Sequence, residues 1–243
     1  MIEQQLDGGV AILTLNRPKQ RNAMSAELVA ALLNAAERAG QDAAVGAIML
    51  TGAGNGFCAG SDLAGLAGMD AAGRRQFEAD SGRAARALAE LPKPVLAAVK
   101  GFAIGGGFTL ATACDVVVTE PGAKWSLPEV PIGLFPAWGL GSVSARVGPV
   151  IAKRLCWGVE TLTGVEAQRI GLADHLAETD VLAESLARAK TLAALPRAQS
   201  AAVKTYFLSN PGGEAADWLA NRLFGEAASS READATFTKF GSR

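Results

Sequence analysis

The residues best suited to chemistry lie in three stretches. The first is GFAIGGGFTLATACD, Gly101–Asp115, where Gly105, Gly106 and Gly107 follow an apolar run and precede a segment of helical composition. A glycine triplet lets the backbone turn sharply and lets a ligand approach its N–H groups. If a helix begins there, its first N–H groups are unpaired and favour an anion, or an oxygen that becomes one during a reaction. The other reading is a tight strand-to-helix turn needed only for packing. The second stretch is GAGNGFCAGSDL, Gly52–Leu63, where backbone N–H groups near Gly60-Ser61 could face a ligand. It does not fit a dinucleotide fingerprint. Gly52-x-Gly54-x-Gly56 is followed by Phe57 rather than by the spacing G-x-G-x-x-G requires, and no helical segment is expected at once after it. The third is PGAKWSLPEVPIGLFP, Pro121–Pro136, which sets Glu129 among Trp125, Leu127, Val130, Ile132 and Leu134. A carboxylate in such company either points to solvent or sits in a site that raises its pKa.

Other reactive types are sparse. His175 is the only histidine, so a multi-histidine metal site is excluded, and a structural or surface role is expected for it. Cys58, Cys114 and Cys156 are widely spaced and contain no C-x-x-C, which argues against a zinc site or a disulfide framework and for buried thiols in a reducing, cytoplasmic compartment. The net charge of −1 gives no footprint for nucleic acid and no polybasic membrane patch. No apolar run reaches the ~18 residues of a membrane span, and MIEQQLDGGVAILTL does not read as a signal peptide.

Elements that could position these residues follow from patterning. Strands are expected at Ile2–Leu6 and Val10–Leu15, joined around Gly8-Gly9, and as buried runs at Val45–Thr51, Val95–Val99 and Val116–Thr119. A helix capped by Ser25 is expected to reach about Ala39 and stop at Gly40. Asp70–Leu91 reads as a helix made irregular or mobile by Gly73 and Gly82, and Phe108–Cys114 as a buried helix. Ala137–Trp157 is helical with a break near Gly148-Pro149, and Thr163 with Glu166 forms a capping box. Asp180–Ala194, Arg197–Ser209 and Gly213–Ser229 read as further helices. The pattern predicts an α/β core with a helical C-terminal extension.

Five segments in this order resemble the enoyl-CoA hydratase/isomerase family, the crotonase superfamily. They are LNRPKQRNAM, LTGAGNGFCAGSDL, KPVLAAVKGFAIGGGFTLATACDVVV, KWSLPEVPIGLFPAWG and LTGVEAQRIGLAD. The resemblance implies a spiral of β-β-α repeats over residues 1–190. It also implies a helical region, 191–243, that packs on the core and on neighbouring subunits in a trimer or dimer of trimers. It implies an acyl-CoA thioester substrate, whose coenzyme A is part of the substrate, and no separate cofactor. Carried over position by position, Ser61 and Gly106 supply the backbone N–H groups of an oxyanion hole, with Gly60 and Gly105 beside them. Arg21, Ala23, Asp62 and Leu63 would line the coenzyme A path, and Phe237 and Lys239 would reach it from the C-terminal region. Trp138 would belong to a hydrophobic acyl pocket.

One departure from the family pattern narrows the chemistry. Hydratases of the family use two glutamates, one two residues after the glycine triplet and one in the PE pair. Glu129 fills the second place, but Thr109 stands in the first. A threonine hydroxyl is no general base at neutral pH. Enoyl-CoA hydratase is the expectation by family default. Δ3,Δ2-enoyl-CoA isomerase fits a single glutamate slightly better, a hydratase-lyase would need more tyrosines than Tyr206, and a non-catalytic acyl-CoA binder is a further alternative. Whether another carboxylate, Glu78 or Asp80 among them, replaces the missing one is left open by the sequence.

Overall fold

The computed structural model describes residues 1–209 together with Trp218, Arg222 and Glu226. The chain opens with an antiparallel hairpin of β1 (Ile2–Asp7) and β2 (Val10–Leu15), turned by Gly8 and Gly9 at φ 57° and 80°. From β2 on, the main sheet is parallel. It continues through β3 (Ala47–Gly52), β4 (Val95–Val99), β6 (Val116–Thr119) and β8 (His175–Leu176), in the order β1-β2-β3-β4-β6-β8. Strands β3 and β4 are buried at every position, as unbroken apolar runs between two covered faces should be.

A second, smaller sheet positions the site. Its regular part is β5 (Phe102–Ile104) paired in parallel with β7 (Lys124–Ser126). Single bridges Met24 to Ser61, Cys58 to Ala103 and Trp125 to Leu162 extend it on both sides. The chain therefore repeats one move: a strand in the large sheet, a short extended segment in the small one, then a helix. The turns are β2, Met24 and α1 (Ala26–Gln41); β3, Cys58–Ser61, α2 (Leu63–Ala67) and α3 (Ala71–Glu90); β4, β5 and α4 (Gly106–Thr112); and β6, β7 and α5 (Leu140–Cys156). Leu162 and α6 (Gly164–Arg169) then lead back to β8. This is the expected spiral of β-β-α repeats.

Local chemistry accounts for most element ends. The Ser25 side chain accepts from Leu28 N–H, both halves of the Thr163/Glu166 capping box form, and α5 breaks at Gly148 (φ 77°, ψ 160°). Three expectations are corrected. Gly40 does not stop α1, which runs to Gln41. Gly40 instead lies under Leu91, and the chain leaves the helix at Asp42, whose carboxylate accepts from Ala44 N–H at 2.8 Å. Helix α3 is continuous over 20 residues. Gly73 lies in its first turn, where its N–H is capped by Asp70 at 2.7 Å, and Gly82 fits against Trp138. A helix does follow the Gly52–Leu63 loop at once: α2 starts at Leu63, capped by Asp62.

The core has two sides. The larger lies between the main sheet and helices α1, α3, α4 and α5. The smaller sets Val10, Met49, Leu96 and Val118 against α7 (Val181–Ala193). The boundary expected after residue 190 falls inside α7. Helix α8 (Arg197–Ser209) is anchored by Lys204, whose ammonium pairs with Asp115 at 2.8 Å and also donates to Leu88 O and Lys93 O. The predicted helix at 213–229 falls outside the described residues except for Trp218, Arg222 and Glu226, and Phe237 and Lys239 lie wholly outside them. No helix among the described residues is long and apolar enough to cross a membrane.

Candidate active site

A cavity of about 390 Å³ opens where the small sheet meets α2, α3, α4 and the segment before α5. Gly60, Ser61, Leu63, Gly105, Gly106, Thr109, Glu129 and Trp138 all line it, so three stretches distant in sequence converge as expected. Arg21, Ala23 and Asp62 do not line it. Arg21 stacks its guanidinium over Phe102 at 4.4 Å, and Asp62 accepts from Arg17 at 2.9 Å while capping α2. Their neighbour Asn22, fully buried at φ 57°, ties the Asn16–Met24 loop to the Gly52–Gly60 loop by donating to Ala53 O and Gly56 O, each at 2.9 Å. His175 lies in β8 and Tyr206 lies on α8 against Phe207, both away from the cavity.

Two loops meet at the cavity wall. Met24 N–H donates to Gly60 O at 2.8 Å and Asp62 N–H to Met24 O at 2.9 Å, which leaves the intervening Ser61 N–H without a protein acceptor among the described residues. Gly106 N–H, at the start of α4, is likewise unused, while Gly105 N–H goes to Ser126 O at 2.9 Å. The loops approach so closely that a Cβ on Gly60 would sit 3.3 Å from Gly106 N, and one on Gly107 would sit 2.2 Å from Cys58 O. Gly105 adopts φ 55°, ψ −124°, a conformation that L side chains rarely take. The Cys58 thiol beneath is fully buried, and burial pushes it up to about 12. It stays protonated, donates to Asn22 O at 3.2 Å and accepts from Gly60 N–H.

Glu129 is carried to this wall by β7. Trp125 is buried, donates to Thr119 Oγ1 at 3.1 Å and meets Phe108 edge to face at 5.5 Å, which fixes β7 beside β5. A 3-10 turn at Val130–Ile132 then folds back, with Leu134 N–H donating to Glu129 O at 2.8 Å. Its carboxylate sits against Gly105, with Oε1 only 2.7 Å from where a Cβ there would lie. Oε2 is buried with no hydrogen-bond partner among the described residues. Burial raises its pKa above the usual carboxylate range, opposed in part by its own backbone N–H, and the charge of Glu78 adds to the rise. The solvent reading of this residue is therefore set aside.

Thr109 is buried, and its hydroxyl donates to Gly106 O at 3.2 Å inside α4. A second carboxylate does line the cavity, on α3. Glu78 Oε1 accepts from Ser61 Oγ at 3.3 Å and Oε2 from Trp138 Nε1 at 3.0 Å. Burial raises its pKa too, while the two donors oppose the rise. Asp80 faces away and pairs with Arg83 at 3.1 Å. Helical spacing in the sequence puts Glu78 on the face of Ser81, Gly82 and Ala85, three, four and seven residues on, and the structure shows that this face is the buried one. Arg74 lines the cavity as well, with its guanidinium held by Leu66 O at 2.9 Å. The arrangement offers two free N–H donors for a developing oxyanion and two desolvated carboxylates for proton transfer, in an otherwise largely apolar chamber.

Comparison with known proteins agrees with the fold. The family model for Enoyl-CoA hydratase/isomerase matches residues 5–232. Crotonyl-CoA hydratase of Syntrophomonas wolfei is 36% identical over 175 residues, which span 71% of this chain and 67% of the relative. A probable enoyl-CoA hydratase of Rhizobium meliloti is 36% identical over 206 residues, 83% of this chain and 78% of the relative. The crystal structure of an enoyl-CoA hydratase from Mycobacterium smegmatis superimposes with a TM-score of 0.93 at 28% identity, covering 99% of this chain and 96% of that one. By its motifs, its spiral fold and these matches, the chain belongs to the enoyl-CoA hydratase/isomerase family, and it is an acyl-CoA enzyme of that type.

Proposed function

We propose that the protein adds water across the double bond of a 2-enoyl-CoA, with the thioester oxygen held by Ser61 N–H and Gly106 N–H and with Glu129 moving a proton at C2. The observation that carries this reading is Glu129 itself, with one buried oxygen that lacks a partner among the described residues, in a cavity with two backbone donors unused by them. Adding hydroxide to C3 sends the π electrons through C2 to the thioester oxygen. Preformed donors stabilise that charge, and losing one such donor costs roughly 2.7–4 kcal/mol in comparable sites. Protonation at C2 then restores the carbonyl. The names of the relatives support hydration. Isomerisation of a 3-enoyl-CoA was favoured by the presence of a single glutamate, and Glu78 in the cavity removes that ground. A hydratase-lyase needs phenol groups, and the only tyrosine, Tyr206, is elsewhere.

In this reading coenzyme A belongs to the substrate, and the proton transfers use only the chain's own groups. The nucleotide part passes over Leu63 and the Arg21–Ala23 segment near Asp62, and Lys239 contributes from the C-terminal region. Trp138 and Leu134 border the acyl chain. Residues from 191 onward take part in assembling trimers or dimers of trimers, and the enzyme works in the cytoplasm. The test is Glu129→Gln. Hydration of a short 2-enoyl-CoA should fall by roughly 10²–10⁴-fold while binding of a saturated acyl-CoA persists. Unchanged turnover would overturn the role given to Glu129. Double-bond migration of a 3-enoyl-CoA in deuterated water, without hydration of the 2-enoyl ester, would favour the isomerase instead.

A further inference from the structure

We propose that Glu78 is the second catalytic carboxylate of this site, taking the proton from the water that adds to C3 while Glu129 delivers one to C2. The assignment rests on the hydratase reading above. Three observations support it. First, Glu78 lines the same cavity as Ser61, Gly106 and Glu129 although it comes from a different helix, α3. Second, it is held from two sides: Ser61 Oγ reaches Oε1 from the oxyanion loop, and Trp138 Nε1 reaches Oε2 from the segment that follows Glu129. Each carboxylate oxygen accepts one bond and keeps a free lone pair for a water. Third, no cation among the described residues neutralises it. Arg74, the one cationic residue among the described ones that line the cavity, gives its guanidinium to Leu66 O and Ala67 O, and no ion pair among the described residues involves Glu78.

The two carboxylates are not equivalent, and their surroundings divide the roles. Glu78 is met by two neutral donors that stabilise its anion, whereas Glu129 has an oxygen with no donor among the described residues. The charge of Glu78 also disfavours ionisation of Glu129. The assignment therefore places the proton on Glu129 and the charge on Glu78. In the forward step a water O–H bond breaks, its proton goes to Glu78, and the oxygen bonds to C3. The π pair moves to the thioester oxygen at Ser61 N–H and Gly106 N–H, and the enolate takes the Glu129 proton at C2. Water is added in balance, and the proton on Glu78 returns to Glu129 through solvent to reset the site.

The test compares Glu78→Gln with the wild-type protein on a short 2-enoyl-CoA. Glutamine is tolerated sterically: its carbonyl can accept from Trp138 and its amide can donate to Ser61 Oγ, since a hydroxyl also accepts. The expected result is a kcat lower by roughly 10²–10⁴-fold, with KM and the affinity for a saturated acyl-CoA within about threefold. A role only in bracing Ser61 and Trp138 would move binding and thermal stability together with kcat, and that pattern would overturn the assignment. So would a kcat within tenfold of wild type. Glu78→Asp, which keeps the carboxylate, should recover part of the lost rate; no recovery over the glutamine variant counts against a proton-transfer role. Should the wild-type protein bind acyl-CoA but hydrate no enoyl-CoA, the hydratase reading fails first and this assignment falls with it.

Discussion

Replacing Gly105 by alanine tests whether the glycine triplet positions the reacting groups or merely turns the chain. At φ 55°, ψ −124° an L side chain is strained, and residues held in such regions cost of order 1–3 kcal/mol. For a chain of this size 2 kcal/mol lowers Tm by about 4–8 °C. The new Cβ would also lie 2.7 Å from Glu129 Oε1, where ordinary contact begins at 3.4 Å, so the carboxylate must retreat by about 0.7 Å. A misplacement near 1 Å at a reacting group costs up to roughly 10²-fold in rate. Gly105→Ala should therefore fold, melt a few degrees lower, bind acyl-CoA with near-normal affinity, and lose about 10–100-fold in kcat for a 2-enoyl-CoA. Differential scanning and initial rates measure both effects. Gly122→Ala is the control, because a Cβ there meets nothing within 4 Å, and its rate should match wild type. A Gly105→Ala protein with wild-type kcat would refute the placement of Glu129 against the oxyanion loop.

Other perturbations probe neighbouring claims. Thr109→Val removes a hydroxyl that bonds within α4 rather than to a reacting atom, so kcat should stay within about tenfold; a loss near 10³-fold would make the hydroxyl a participant. Lys204→Met strands the Asp115 carboxylate and leaves Leu88 O and Lys93 O without this donor, which should cost on the order of 3 kcal/mol, the low end because Asp115 keeps Val95 N–H and some solvent. A change in urea-unfolding free energy below about 1 kcal/mol would show that the pair does not anchor α8. Glu129→Gln, besides losing turnover, should stabilise the fold at neutral pH. Burial raises the folded pKa of Glu129, so as pH climbs past the ordinary carboxylate value the unfolded chain ionises first and the wild-type protein loses stability. The gain should vanish in acid, where both states hold the proton; a Tm difference independent of pH would contradict this.

The large sheet and its helices were legible because they follow local rules. Val95–Val99 is an uninterrupted apolar strand, Ser25 and the Thr163/Glu166 pair are caps, and Gly148-Pro149 breaks a helix in the sequence and in the structure. The second sheet was not legible from periodicity. Two of its strands have three residues each, and the rest is single bridges at Met24, Cys58, Ser61 and Leu162. Such segments are too short to alternate, and long-range partners create them. Only the resemblance supplied the spiral. In the site, Gly60, Ser61, Gly105, Gly106, Thr109 and Glu129 were found as motif positions and meet as expected. Glu78 stood as one of two open candidates, because helical spacing places a residue on a face without saying what that face covers. Gly82 misled for a related reason. Read as a helix weakener, it is a contact residue, since a Cβ there would come 3.1 Å from that of Trp138.

The residues around Thr109 form one steric set. Trp138 approaches the oxyanion loop closely enough that a Cβ on Gly106 would meet its Cζ2 at 3.1 Å, and the next residue, Gly139, lies so near α4 that a Cβ there would be 2.5 Å from Thr109 Cβ. The indole and this close backbone thus pack over α4 beside Thr109. The indole N–H then requires an acceptor in a largely apolar wall, and Glu78 supplies it at 3.0 Å from a helix thinned by Gly82 to admit the ring. On the assignment proposed above, the second carboxylate stands on a different wall of the cavity from Thr109, and Trp138 donates to it. The coupling can be measured. Trp138→Phe keeps the ring and removes the donor, so it should raise the pKa of Glu78 and shift the acid limb of the hydration profile to higher pH. That limb would stay in place if Glu78 served only as a brace for the indole.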